Sequence, residues 1–200
     1  IKIKEMIKLI DILENKILVP RRSPEERSKN YTIATQKKIQ QYMRDGGEGD
    51  LNLRNTPITS LPNGLKVGGN LNLGNTKITS LPNGLKVEGY LNLGFTSITS
   101  LPNDLKVGGS LYLFNTKITS LPNDLEVEGS LYLSNTSITS LPNDLEVGGD
   151  LNLRNTKITS LPNDLKVGGS LYLKYTHISK KYTEEQIKQM CPGVKGDIFI

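Results

Sequence analysis

Two residues in this 200-residue chain have side chains suited to nucleophilic or metal chemistry, and each occurs once: His177 and Cys191. A zinc site draws three or four ligands from Cys, His and acids, and no second His or Cys is available to complete one. His177 stands where equivalent positions hold Pro, Lys or Ser, which predicts an exposed variant rather than a general base. Glycine pairs such as Gly68-Gly69 lack the Gly-Lys-Ser/Thr that a phosphate-cradling loop requires and read as corners of a repeat. The expectation is a chain that is not an enzyme and uses no cofactor or metal. What remains is recognition chemistry, in aromatic and cationic residues at matching positions: Tyr90, Tyr112, Phe114, Tyr132 and Tyr172, with Arg54 and Arg154.

Those residues are positioned by seven copies of a 20-residue unit, beginning LNLRNTPITSLPNGLKVGGN at Leu51 and LNLGNTKITSLPNGLKVEGY at Leu71. Self-similarity at this period with this Leu spacing marks a stacked solenoid. The alternation Leu71-Asn72-Leu73 predicts a short strand with one buried face. Six apolar side chains per coil, such as Leu71, Leu73, Ile78, Leu81, Leu85 and Val87, gain roughly 1.5 to 3 kcal/mol each on burial. Ordering each backbone residue costs roughly 1 to 2 kcal/mol, so a lone coil cannot fold and must be buried between neighbours. Pro82 and its equivalents fall at a corner, and the Gly column from Gly49 to Gly169 suggests a bend needing backbone freedom. With strands about 4.8 Å apart, the stack should rise roughly 30 to 35 Å.

The run Leu71-Asn72-Leu73-Gly74-Asn75-Thr76-Lys77-Ile78 followed by Leu81-Pro82 resembles the leucine-rich repeat signature LxLxxNxLxxLP, in its short 20-residue bacterial and phage-type class, over residues 49–178. The usual Asn of that signature is Thr in every unit, from Thr56 to Thr176. The resemblance implies an α/β repeat fold with parallel strands and a concave strand face where protein partners sit. Some effectors that resemble these repeats carry a Cys-dependent ubiquitin ligase domain, but Cys191 is followed by Pro192-Gly193 instead of that domain's acidic residues, so the resemblance stops at the repeats.

Solenoid ends need covering, and three parts are expected: a helical N-terminal cap over 1–47, the repeats over 48–178, and a short helical C-terminal cap over 179–200. Ile7, Leu9, Ile10, Ile12 and Leu13 lie in a helix-compatible run; Ser23-Pro24-Glu25-Glu26 and Thr183-Glu184-Glu185-Gln186 read as helix starts, and Asp197 to Ile200 as a closing strand. The first residues lack a clean apolar core and cleavage site for a signal peptide, and no apolar run reaches a membrane span, so a cytoplasmic protein is expected. A single Cys leaves no internal disulfide framework.

Charge is uneven along the chain. Residues 1–47 carry eleven Lys and Arg against six acids, the whole net +5, whereas residues 48–200 carry fourteen of each sign. Lys66, Lys86 and Lys106 form a short ladder that turns acidic at Glu126 and Glu146, which reads as a solvated mixed-charge face and makes nucleic acid an unfavoured partner. Function must then lie in the outward columns flanking the strand. Tyr112 and Tyr132 should stack one coil apart beside Phe114, with Tyr90 diagonal to them, as hot-spot material or as cross-strand pairs that stabilise the sheet. The hydroxyl ladder from Thr59-Ser60 to Thr159-Ser160 reads as turn hydroxyls bonding their own backbone, since neighbours in an extended segment cannot both face outward. The reading is a protein-binding scaffold using its strand face, with a structural or assembly component, for example of a phage particle, contacting through its caps as the alternative.

Overall fold

A computed structural model describes residues 4–6 and 23–200; the apolar run Ile7 to Leu13 and the pair Arg21-Arg22 lie outside the described residues. Helix α1 spans Pro24–Arg44 and starts as its sequence dictates. The Ser23 hydroxyl accepts from the Glu26 N–H at 3.1 Å, and the Glu26 carboxylate accepts from the Ser23 N–H at 2.9 Å. It ends at Gly46 and Gly47, both at positive φ.

From there the chain climbs in 20-residue coils. Each of the first six contributes one two-residue strand to each of two parallel sheets. The first sheet runs β1 (Leu51–Asn52), β3 (Leu71–Asn72), β5 (Leu91–Asn92), β7 (Leu111–Tyr112), β9 (Leu131–Tyr132), β11 (Leu151–Asn152), β13 (Leu171–Tyr172) and β14 (Ile198–Phe199) in spatial order. The second runs β2 (Lys66–Val67), β4 (Lys86–Val87), β6 (Lys106–Val107), β8 (Glu126–Val127), β10 (Glu146–Val147) and β12 (Lys166–Val167). Pairing is in register, Leu51 with Leu71 and Leu71 with Leu91, so one position of the unit becomes a column running up the rod. The six apolar columns expected from the sequence form one continuous buried core.

The seventh unit completes only its strand and first turn. Helix α2 (Ile178–Lys181) and helix α3 (Glu184–Met190) replace the rest, α3 opening on a capping box at Thr183 and Gln186, and β14 then pairs with β13. Cys191 is fully buried under this cap, and desolvation pushes its thiol pKa up. The Lys188 ammonium donates to the carbonyls of Val194 and Gly196 at 2.6 and 2.9 Å. At the other end α1 buries Ile39 against the first coils, and Lys38 donates to the Asn52 carbonyl at 2.7 Å.

Two turns depart from expectation. Of the column Gly49 to Gly169, only Gly49 has positive φ. The others are required by close approach: a Cβ on Gly69, Gly89, Gly109, Gly129, Gly149 or Gly169 would lie 2.5 to 3.1 Å from the carbonyl carbon of the glycine one coil below. Each of Gly89, Gly109, Gly129, Gly149 and Gly169 donates its N–H to that glycine's carbonyl, and Gly196 does the same to Gly169. Left-handed backbone is found instead at the fifth residue of every unit, with φ between 55° and 66°. The following Thr closes this turn, its hydroxyl donating to the Leu carbonyl three residues back at 2.6 to 2.7 Å. Among the described residues no helix is long and apolar enough to cross a membrane.

Candidate functional site

Because the strands are in register, outward residues one coil apart meet. Tyr112 and Tyr132 stack with centroids 4.7 Å apart and planes within 1°; Tyr90 sits edge-on to Tyr112 at 5.9 Å and Phe114 at 6.4 Å. This is the cluster read from the sequence. Gly94 provides the floor for Phe114, since a Cβ there would come within 2.5 Å of the ring. A second cluster follows at the C-terminal end. The Arg154 guanidinium lies 4.4 Å over the Tyr172 ring, which stacks on Phe199 of β14 at 4.7 Å. Arg54, on the first coil, is exposed and joins neither cluster.

Phe95 completes the first cluster and was missed in the sequence. It meets Phe114 edge-on at 5.5 Å and is 59% exposed. It occupies the left-handed fifth position, φ 59°, where Asn55, Asn75, Asn115, Asn135 and Asn155 stand in other coils. Asn tolerates that conformation and an aromatic does not. Elsewhere in this column side chains pair across coils, Asn75 donating to Asn55 at 2.8 Å and Asn155 to Asn135 at 2.6 Å, and Phe95 can make no such bond. Tyr175 repeats the exception in the seventh unit, at φ 66° and 68% exposed. Tyr90 breaks a different ladder. In its column the side chains of Asp50, Asn70, Ser110, Ser130, Asp150 and Ser170 each accept the N–H of the matching residue above, with 2.8 to 3.3 Å separations. Tyr90 offers no such acceptor to Ser110.

One further expectation is corrected. Both members of the hydroxyl pairs from Thr59-Ser60 to Thr159-Ser160 are exposed, and their side chains make no hydrogen bond to the backbone, since water can satisfy hydroxyls at the surface. The face of the ladder from Lys66 to Lys166 is mixed in charge as expected, and charge differs between the two sides of the coil. In all seven units the first thirteen residues hold no acid, and in five of them they hold Lys or Arg, whereas residues 64–70 and their equivalents hold nine acids and four lysines. The side on which the chain enters the strands is therefore net acidic, and the side on which it leaves them is cationic. The two ion pairs found among the described residues, Lys106 with Glu126 and Lys166 with Glu146, lie on the entering side. His177 is exposed on the leaving side, and among the described residues no group of His, Cys, Asp and Glu is placed to hold a metal ion.

No family model and no curated protein matches the chain. Among solved structures it is similar to YopM from Yersinia enterocolitica, at 21% identity and a TM-score of 0.51 over 86% of this chain, and it spans 37% of that protein's length. A leucine-rich repeat protein of Leptospira interrogans is also similar, at 22% identity and a TM-score of 0.37, over 74% of this chain and 54% of its own. In-register parallel strands, a 20-residue period and the likeness to YopM agree: the chain has the leucine-rich repeat solenoid fold, closed by a helix at its N-terminal end and by short helices at its C-terminal end.

Proposed function

We propose that this chain is a non-enzymatic scaffold that binds a protein across its strand face, at Tyr90, Tyr112, Phe114 and Tyr132, flanked by Arg54, Arg154 and Tyr172. The observation that carries the reading is where two neighbouring aromatics sit. Tyr90 interrupts a ladder of side chains that accept from the coil above, and Phe95 stands in a column where Asn side chains pair across coils, so neither can make its column's bond. Side chains selected to pair across strands would keep the ladders; departures from local rules without a folding gain cluster at functional surfaces. Packed, exposed aromatics are also the commonest anchors of protein interfaces.

A photo-crosslinking amino acid at position 112, compared with one at position 104 on the acid-lined side, tests this in extracts of the native host. Covalent capture of a polypeptide from 112 alone, abolished when Phe114→Ala and Tyr132→Ala are added, is expected. Equal capture from both positions, or capture indifferent to the two substitutions, overturns it.

A further inference from the structure

The corner where the chain leaves each strand carries Lys77, Lys117 and Lys157 on alternate coils, all exposed and none in an ion pair. Spaced by two coils, they stand roughly 10 Å apart. At the C-terminal end the corner deepens into an open cleft of about 420 Å³ lined by Asn155, Lys157, Tyr175, His177 and Lys180. Phe95 and Tyr175, the two aromatics held in left-handed backbone, project from this same corner, and no carboxylate lies in the first thirteen residues of any unit. Like charges left uncompensated in a row are unfavourable in the free protein, and an anionic partner relieves that repulsion.

We propose that this corner, from Lys77 to Lys180 with Phe95 and Tyr175 as apolar posts, docks an acidic, extended segment of a partner protein. This rests on reading the adjoining strand face as protein-binding and names the chemistry of what it binds. The carboxylates on the entering side repel such a segment and confine it to the leaving side, a repulsive element that sets where it lies. Single-stranded nucleic acid fits less well. It binds by laying successive bases on open ring faces, but Tyr112 and Tyr132 stack on one another, Tyr172 is sandwiched by Arg154 and Phe199, and the Lys174 ammonium lies 5.2 Å over Tyr175, which leaves Phe95 as the open ring of this corner. The corner from the second coil to the seventh spans roughly 24 Å, within reach of an extended peptide of about ten residues.

The test is fluorescence anisotropy with a labelled peptide of about ten residues alternating Glu and Leu, its Lys-Leu counterpart, and an oligouridylate of similar length. Wild type should bind the acidic peptide and not the basic one. The combined Lys77→Glu, Lys117→Glu, Lys157→Glu, Lys180→Glu variant, unaltered in melting because all four sites are exposed, should bind it at least about tenfold more weakly. Phe95→Asn restores the residue of the other coils; it should weaken the peptide severalfold while raising the melting temperature, a pairing that misfolding cannot produce. Failure of wild type to bind the acidic peptide, or binding unchanged by charge reversal, overturns the acidic corner. If capture from position 112 persists in that case, the strand-face reading stands without it. Tighter binding of the oligouridylate than of the peptide overturns both.

Discussion

The two ends of the rod solve one problem with different chemistry. At the N-terminal end no strand among the described residues pairs with the outer edge of β1, and side chains of a helix finish the job: Ile39 covers the core and the Lys38 ammonium occupies the carbonyl of Asn52. At the C-terminal end backbone does the work, because β14 accepts the N–H groups of Leu171 and Leu173 at 2.8 and 2.7 Å through Asp197 and Phe199. A side-chain closure ends the sheet and offers nothing to pair with. A strand closure moves the open edge outward by one strand, with Phe199 and Ile200 exposed on it. The N-terminal end should therefore tolerate damage as a loss of stability, and the C-terminal end should answer damage with association.

Removing residues 197–200 is the sharpest way to break that contrast. It deletes two backbone bonds and the buried Ile198, worth together about 4 kcal/mol, and leaves the β13 edge bare. Urea midpoints should fall and light scattering should rise with concentration; a stable monomer would mean that α3 alone closes this end. Ile39→Ala should cost about 2 to 3 kcal/mol with scattering unchanged, since α1 still covers the edge. Association of that variant would erase the distinction between the ends. Lys38→Met isolates the carbonyl contact, with an expected loss of about 1 kcal/mol in thermal melts; no loss would leave the Asn52 carbonyl to water.

The smallest effect is a pH dependence confined to the C-terminal cap. Burial raises the Cys191 thiol pKa, so the folded cap holds a neutral thiol where the unfolded chain ionises. The stability this leaves intact below the unfolded pKa of about 8.5 is lost as pH rises above it. Iodoacetamide labelling of Cys191 should be slow at neutral pH and should accelerate above that value by more than free cysteine does. Labelling at the rate of free cysteine throughout would place the thiol in solvent.

Most of the fold could be read because a strict repeat turns sequence columns into spatial ones. Leu, Ile and Val columns announced the core, Ser23 and Thr183 announced the helices, and Tyr112 with Tyr132 announced the stack before any coordinates. Phe95 and Tyr175 escaped notice because their position looked like an ordinary turn residue; nothing short of backbone angles shows that it points outward in left-handed conformation. Gly69 and its equivalents were read as flexible when the constraint is the carbonyl of the coil below. The separation of charge was present in the sequence. It disappears when charges are totalled along the chain and emerges when they are sorted by place within the unit.

That glycine column has one more consequence. From Gly89 to Gly196 every N–H in it points down the rod toward the coil below, and every bonded carbonyl points up. Neighbouring amides turn the same way, as Glu88 donates to Val67 and Tyr90 to the Asn70 side chain. Aligned peptide units add as they do in a helix, so one edge of the solenoid carries an axial dipole of its own. Its negative pole falls at the Gly196 carbonyl, where Lys188 lies 2.9 Å away, as a cation lies at the end of a helix. Adding a coil would lengthen this dipole without changing the fractional charges at its poles, so the same lysine could terminate a stack of any height.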